Sequence, residues 1–313
     1  MGLFKRNKKM PQPTDRIEWV TATARRILAE RGIEATVQHG EKPEDVMLID
    51  ADGRCYPLFT MLAKTDGASI AEAEDIIADH ISPLLTFDKT LDIANFSPEE
   101  LRLRIRTRLL HASEGQPDGP SLRYARPFSD GIVIALCIDL PNAVMMLSDE
   151  NIRTLALGED ELYAFGQLNT DREAIDQRYE ASPGVEVIVG NSLFTASKAA
   201  NLPAVIGSAP FGTFFTIPYR HMLITLPLTG PETLEAVQQL VGVTMQAIGD
   251  GLVPGGVLSL NVHFSRGGVV TPVSSIDETG KITLRVDERL RQALEDSATN
   301  GEDLGTAEGS VDS

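Results

Sequence analysis

The sequence predicts an α+β fold, in which an antiparallel sheet is built from repeated β-hairpin–helix units and the helices pack on the sheet. Three segments, 46–82, 131–155 and 213–248, each contain two strand-like runs followed by a helical pattern. The residue identities between these segments are poor, so the repetition is architectural. No series of alternating strands and helices typical of a doubly wound parallel sheet occurs.

The elements of the first half are predicted from periodicity and turn signals. A helical pattern after residue 14 ends at Gly32, and two strand-like runs then flank Asp52-Gly53, a strong hairpin signal. A second helix is predicted over about 69–82. The segment SPEELRLRIRTRLLHA, residues 97–112, alternates as a strand would, but Ser97 and Pro98 form a firm helix start, and we therefore expect a helix throughout.

The second half begins with DGIVIALCIDL, residues 130–140, which is apolar on both faces as a covered central strand would be. The apolar stretch 213–228 is predicted to form a hairpin whose turn contains Pro218, and a helix follows it. A further hairpin is expected around Gly267-Gly268, before a last strand and helix.

These elements divide the chain into four regions. We expect a disordered basic tail at 1–13, an N-terminal α+β region at 14–115, a C-terminal α+β domain at 121–294 and a disordered acidic tail at 295–313. The segment SEGQPDGP, residues 113–120, is the best internal linker candidate.

Composition excludes several classes of function. A formal net charge of −17 repels nucleic acid, so no nucleic-acid partner is expected. Aromatic residues make up only 5% of the chain, which argues against a carbohydrate groove or a base-stacking platform. The two cysteines, Cys55 and Cys137, lie in apolar strand-like runs, where free thiols pack as small hydrophobic groups. They cannot form a disulfide framework, which suits a reducing compartment.

The sequence predicts a cytoplasmic protein. No apolar run approaches the roughly 20 residues that cross a bilayer, and the start MGLFKRNKKM lacks the apolar core of a secretory signal. Leu3, Phe4 and the nearby lysines leave weak contact with a membrane surface open.

Motifs for common chemistry are missing from the sequence. It contains neither the glycine-rich phosphate loops of nucleotide enzymes nor the G-x-S-x-G of α/β-hydrolases. The five histidines show no metal-ligand spacing, and DADG at 50–53 lacks the third acidic ligand and the closing glutamate of a calcium loop. We therefore predict no cofactor, no metal site and no catalytic residue.

One candidate surface is the pair Arg220 and His221 inside an apolar stretch. The structural explanation is a solvated hairpin tip beside Pro218. The functional alternative is a clamp for an anion or carboxylate, with Arg220 supplying a bidentate guanidinium and Asp139 lining the same cleft. A nucleophilic Cys137 with Asp139 and His221 is disfavoured, because a mid-strand thiol in apolar surroundings is not activated.

A second candidate is the arginine stretch Arg102, Arg104, Arg106 and Arg108. With Arg123 and Arg126, the segment 101–126 contains six basic residues and only two acidic ones. On a helix, Arg102 and Arg106 would form one stripe and Arg104 and Arg108 another. The structural explanation is a solvated helix with internal pairing. The functional alternative is docking of an acidic segment, from a partner protein or from the acidic tail of this chain.

Three segments of the second half carry a resemblance. They are IVIALCIDLPNAVMMLSDENIRTLALGEDELYAFGQLN (132–169), GNSLFTASKAANL (190–202) and FTIPYRHMLITLPL (215–228). In order and spacing, over about 120–275, they resemble an uncharacterised bacterial domain-of-unknown-function family. Gly158 and Lys198 depart from that pattern, the second standing where an arginine is usual. The resemblance implies no activity. The organisation is also distantly analogous to secretion-chaperone-like α+β folds.

Together these observations predict a non-catalytic, chaperone-like accessory factor with a protein partner. The alternative is an enzyme or binder that acts on an anionic small molecule through a cleft with Asp139, Arg220 and His221. Self-assembly through exposed sheet edges, giving a homo-oligomer, is a third alternative.

Overall fold

Antiparallel strands with helices packed against them form the protein, which confirms the predicted α+β class. The computed structural model describes residues 13–40, 45–51, 54–85, 92–112, 121–141, 143–249, 252–276 and 282–305. The chain divides into two compact units. Residues 1–91, with 141–143 and 250–256, belong to the first unit, and all other residues belong to the second.

The first unit is a small sheet covered by helices. Its elements are α1 (Pro13–Ala29), β1 (Ala35–His39), β2 (Val46–Asp50), β3 (Cys55–Pro57), α2 (Phe59–Lys64) and α3 (Ile70–Leu85). The three strands are antiparallel in the order β1-β2-β3. Leu28, Leu48 and Ile77 meet in the core, because each helix places an apolar stripe against the inner face of the strands.

The second unit contains the remaining elements. They are a 3-10 helix (Ile93–Asn95), α4 (Pro98–Arg104), β4 (Ile105–His111), β5 (Arg126–Ser129), β6 (Ile132–Leu140), β7 (Ala143–Met146), α5 (Asp149–Thr154), α6 (Glu159–Arg172), β8 (Gln177–Ser182), β9 (Val185–Val189), a second 3-10 helix (Ala196–Asn201), α7 (Leu202–Ile206), β10 (Thr213–Thr216), β11 (Met222–Pro227), α8 (Thr233–Ile248), β12 (His263–Arg266), β13 (Val269–Pro272), β14 (Ser274–Ile276), β15 (Ile282–Leu284) and α9 (Glu288–Gly305).

Two larger antiparallel sheets organise this unit. One has the order β13-β12-β10-β11-β9-β8, and the other has the order β4-β6-β5 with β7 also paired to β6. Helices α8 and α9 cover the first sheet through side chains such as Leu240 and Leu290. Helices α4 and α6 cover β6 through Leu101 and Leu162. A further apolar cluster joins Leu109 of the second sheet to Phe215 of the first.

The predicted hairpin–helix units are present. In each predicted segment two antiparallel strands precede a helix: β2 and β3 before α2 and α3, β6 and β7 before α5, and β10 and β11 before α8. The hairpin of β12 and β13 turns at Gly267 and Gly268, as predicted, and both residues have the positive φ that a two-residue hairpin turn requires. The predicted Asp52-Gly53 turn lies outside the described residues.

The expectation of a helix throughout 97–112 is wrong. Ser97 and Glu100 do form the capping box, but the helix ends at Arg104 and a strand occupies Ile105–His111. The cap specifies only where the helix begins. Beyond Arg104 the alternating burial has a period of two residues, and the strand pairs with β6 from Ile105↔Ile138 to His111↔Ile132.

This strand also changes the expected division of the chain. Because β4 is part of a sheet with β6, residues 92–112 belong to the second unit, and the boundary lies between Leu91 and Asp92. The expected linker at 113–120 lies outside the described residues, as does the expected basic tail up to residue 12.

The expectation of a disordered tail from residue 295 is wrong for residues 295–305. Helix α9 continues to Gly305 and so includes residues 295–305, which were expected to be disordered. Contacts hold this part of the helix: Ser297 is buried, and the Asp296 carboxylate accepts a 2.5 Å hydrogen bond from Arg266. Residues 306–313 lie outside the described residues.

Cys137 packs in the core as expected, whereas Cys55 is exposed, contrary to the expectation for both thiols. Cys55 begins a strand of only three residues, Cys55–Pro57, in which Tyr56 alone is buried. No helix within the described ranges is long and apolar enough to cross a membrane.

His263, on β12, is wholly buried, and burial lowers its pKa to about 4. The pKa of an unfolded histidine is about 6.5, so the unfolded chain binds more protons than the folded chain between these values. Stability should therefore decrease as the pH falls from 6.5 to 4. We expect a loss of about 3 kcal/mol from this residue between pH 7 and pH 4.

Urea unfolding of the wild type and of His263→Gln across this pH range measures the loss. The variant should lack most of it, whereas His39→Gln, at an exposed histidine on β1, should keep it. Equal losses in the wild type and in His263→Gln would contradict the assignment.

Candidate functional site

Strand β4 sets the positions of two arginines in the second unit. Because side chains alternate along a strand, Ile105, Thr107 and Leu109 point into the core and Arg106 and Arg108 share the opposite face. The helical stripes expected from the sequence, with Arg106 under Arg102, do not form.

The first two arginines of the stretch are engaged on α4. The Arg102 guanidinium donates to one oxygen of Glu161, from Nε at 3.0 Å and from Nη2 at 2.7 Å, and lies 5.5 Å from the centre of the Phe165 ring. The Arg104 guanidinium lies 5.9 Å from the centre of the Phe96 ring. These contacts attach α4 to its neighbours within the unit.

Arg106 is neutralised by two carboxylates. Its Nε donates to Glu173 at 2.8 Å, and its Nη2 lies 3.5 Å from an oxygen of Asp139 on β6. Glu173 follows α6 directly, and its second oxygen accepts a hydrogen bond from Ser192 Oγ at 2.8 Å. Burial raises the pKa of Asp139, while the charge of Arg106 opposes that increase.

Arg108 has no such partner among the described residues. Its Nη1 lies 3.8 Å from the sulfur of Met146, and within the described ranges no carboxylate oxygen lies within 4 Å of its guanidinium. A cationic side chain that is half-buried against a thioether keeps most of its capacity to bind an anion.

Arg220 and His221 occupy the turn between β10 and β11, which is not a solvated tip. The Arg220 carbonyl accepts from Ala196 N–H at 3.0 Å, and the His221 carbonyl accepts from Gly190 N–H at 3.0 Å. Both side chains are half-buried. The turn is therefore held against the segment 190–196.

The hydrogen bonds of His221 fix its protonation state. Its Nδ1 lies 3.1 Å from the carbonyl oxygens of Gly190 and Ser192, which can only accept. Its Nε2 accepts from Arg220 Nε at 3.1 Å. These contacts require a neutral imidazole with the proton on Nδ1, and that ring holds Arg220 by its Nε–H alone.

Arg220 is the electrostatically unusual member of this group. Burial lowers its pKa to about 10, and the nearby positive charge of Arg108 adds to the decrease. The side chain is still charged at neutral pH. No carboxylate of the described residues lies within salt-bridge distance of it. Two guanidinium groups thus lie near enough to repel each other, and neither has an acidic partner among the described residues.

We call Arg106, Arg108, Arg220, Asp139 and Glu173 the arginine cluster. An ion pair joins Asp139 to Arg106, and hydrogen bonds continue from Arg106 through Glu173, Ser192 and His221 to Arg220. The structure therefore links the three residues that the sequence proposed for one cleft. It does not bring Arg102 and Arg104 into this cluster.

Sequence reasoning missed Glu173 and Ser192. Arg106 and Glu173 are 67 residues apart, so no local pattern in the sequence connects Glu173 with the arginine stretch. Lys198 was noted only as a departure from a family pattern. It is almost fully buried, and its ammonium group donates to the carbonyls of Thr170, Asp171 and Glu173 at 3.1, 2.8 and 2.8 Å.

Cys137 is unsuited to be the nucleophile of a triad with Asp139 and His221. It is completely buried, and burial raises its pKa to about 12. Its sulfur lies 3.6 Å from the backbone oxygen of Arg106. A thiol of this kind remains protonated and packs as a core residue.

Comparison with protein-family models, with curated proteins and with solved structures finds no match to this chain. Across the described residues, no group of three or more histidine, cysteine, aspartate or glutamate side chains is arranged to hold a metal ion.

Lys198 should stabilise the fold, because its ammonium group caps the carbonyl groups at the C-terminal end of α6. Lys198→Met removes the ammonium donor from three carbonyls, of which only that of Thr170 keeps another donor among the described residues, the N–H of Glu173, and we expect a loss of about 3 kcal/mol in the free energy of unfolding. Urea denaturation measures this change. Lys64→Met, at the exposed end of α2, is the matched control and should change stability by less than about 0.5 kcal/mol. A similarly small effect of Lys198→Met would contradict this role.

Proposed function

We propose that this protein binds a small anionic ligand between Arg108 and Arg220, which we call the anion site. The observation that carries the proposal is the position of Arg220. It is a half-buried guanidinium whose pKa is lowered by the nearby charge of Arg108, and it has no carboxylate partner among the described residues.

Electrostatics supports this proposal. Removing a charge from water is costly, and a nearby charge of the same sign increases the cost. In a structural ion-pair network a carboxylate offsets this cost, as Glu173 and Asp139 do for Arg106. At the anion site, a bound anion would supply the missing negative charge.

The donor geometry of Arg220 indicates the chemical class of the ligand. His221 occupies only the Nε–H, and no described residue accepts a hydrogen bond from Nη1 or Nη2. These two groups, with those of Arg108, can donate to several oxygens of one anion. Planar guanidinium groups bind phosphate and carboxylate in this bidentate way, so the ligand carries a phosphate or a carboxylate group.

The accessory-factor function stays a prediction, as do the cytoplasmic location, a protein partner and self-assembly. The arginine stretch was the main support for an acidic partner. Arg102 pairs with Glu161 and Arg106 pairs with Glu173, both within the chain. These pairs neutralise two of the four arginines that would attract an acidic partner. This is why we favour a small anion over an acidic segment.

Thermal unfolding in the presence of anions tests the proposal. At constant ionic strength, phosphate, citrate and acetate are compared with chloride, and a ligand that binds the folded state raises the melting temperature. At ten times the dissociation constant, the stabilisation should be about 1.4 kcal/mol. At least one of the three anions should reach this effect.

Arg220→Met and Arg108→Met keep an apolar stem and remove the charge. Each should weaken anion binding at least tenfold, because a charge-assisted hydrogen bond contributes about 1.5–3 kcal/mol. Arg123→Met, at an exposed arginine of the same unit, is the control and should bind as the wild type does.

Without ligand, Arg220→Met should be at least as stable as the wild type, since it removes a half-buried charge that has no described acidic partner. A clear destabilisation would indicate a structural ion pair. An anion effect of equal size in Arg220→Met and in the wild type would refute the anion site.

A further inference from the structure

A buried histidine lies between two serines in the second unit, outside the arginine cluster. Nε2 of His263 is 3.1 Å from Ser259 Oγ, and Nδ1 is 3.0 Å from Ser129 Oγ. The imidazole stacks on Phe215, with ring centres 5.2 Å apart and planes 25° apart. The two serines therefore hold both nitrogens of the imidazole, and Phe215 packs against one face of the ring.

Ser259 differs from Ser129 because it borders a cleft. The cleft has a volume of about 390 Å³, and its lining includes Ser259, Leu260, Asp130, His111 and Arg285. His263 is not among the lining residues, and none of its surface is exposed. Ser259 is itself 9% exposed, so it joins the cleft that it borders to the buried imidazole.

The hydrogen bonds around Ser259 allow its hydroxyl to donate to His263. Its Oγ accepts from the backbone N–H of Asn261 at 3.2 Å, so its own proton is free to point elsewhere. A neutral imidazole carries one N–H. When Nδ1–H donates to Ser129, the lone pair of Nε2 accepts from the Ser259 hydroxyl.

This is the arrangement of an activated nucleophile: a hydroxyl on a base, and a third group that orients the base. A backbone donor with no described acceptor also lies next to Ser259. Leu260 follows Ser259 and borders the same cleft, and its backbone N–H donates to no described acceptor. In acyl-transfer enzymes the N–H after the nucleophile commonly serves this purpose.

We propose that Ser259 is a nucleophile for acyl transfer, with His263 as its general base and Ser129 as the residue that positions the imidazole. The substrate class is a small carboxylic ester that fits the cleft. This inference is independent of the anion site and goes beyond the binding function proposed for it.

The chemistry has two steps. The Ser259 oxygen attacks the ester carbonyl and gives its proton to Nε2 of His263; the carbon–alkoxide bond breaks, and the alkoxide leaves as an alcohol with that proton. Water then attacks the acyl-serine while Nε2 takes a proton from it, and the proton passes to Ser259 as the acid is released.

The mapping of covalent labelling on the wild-type chain is the first test. An alkyl fluorophosphonate forms an oxygen–phosphorus bond with an activated serine and releases fluoride. Peptide mass spectrometry should find the adduct on Ser259. Labelling of no serine, or of exposed serines at equal rates, would overturn the proposal without any variant.

Hydrolysis of p-nitrophenyl acetate supplies the second test. Ser259→Ala and His263→Gln should each lower the rate at least tenfold, and Ser129→Ala should lower it less. Ser265→Ala, on the same strand as His263 but outside the cleft lining, is the control and should retain the wild-type rate. Unchanged hydrolysis in Ser259→Ala would refute the proposal, whether or not the other variants fold.

The pH profile separates a catalytic from a structural role for His263. Burial lowers the pKa of His263 to about 4, and the nearby Asp130 carboxylate opposes that decrease. His111 and Arg285 are the other ionisable side chains that border the cleft. Labelling of the wild type should be constant from pH 8 to about 5 and decline below, as His263 takes up a proton. A midpoint near 6.5 would assign the base to another histidine and contradict the proposal.

Discussion

The ion pair between Arg106 and Glu173 is the interaction on which the rest of the arginine cluster depends. It joins β4 to the end of α6 and gives the charge of Arg106 a carboxylate partner. Glu173 also holds Ser192, whose carbonyl binds His221, and His221 in turn holds Arg220. Both carboxylates of the cluster, Asp139 and Glu173, therefore pair with Arg106. Arg108 and Arg220 remain without an acidic partner among the described residues.

The hairpin–helix architecture could be predicted from the sequence, because turn signals and apolar periodicity are local properties. The segment 97–112 shows the limit of such reasoning. Its capping box predicted the helix start correctly, yet a cap carries no information about length. The alternation after Arg104 was the better signal. Treating it as a helix placed Arg106 and Arg108 on different stripes, whereas in the strand they share one face.

The members of the anion site were in part predictable. Arg220 and His221 were singled out because charged residues are unusual in an apolar stretch. Their burial could not be predicted, because it depends on backbone contacts of the turn with Gly190 and Ala196. The sequence did not indicate a role for Glu173, because that role depends on its ion pair with Arg106, which is 67 residues away in the chain. Ser259 and His263 are close in sequence, but their pairing became visible only with the cleft and with Ser129 of β5.

The central claim is that an anion belongs between Arg108 and Arg220. Crystals of the protein soaked in tungstate, a phosphate-like oxyanion with strong anomalous scattering, test it most directly. The claim predicts an anomalous peak within hydrogen-bonding distance of both guanidinium groups, which disappears in crystals of Arg220→Met. A carboxylate of the chain itself seated between the two arginines, with no peak there, would contradict it.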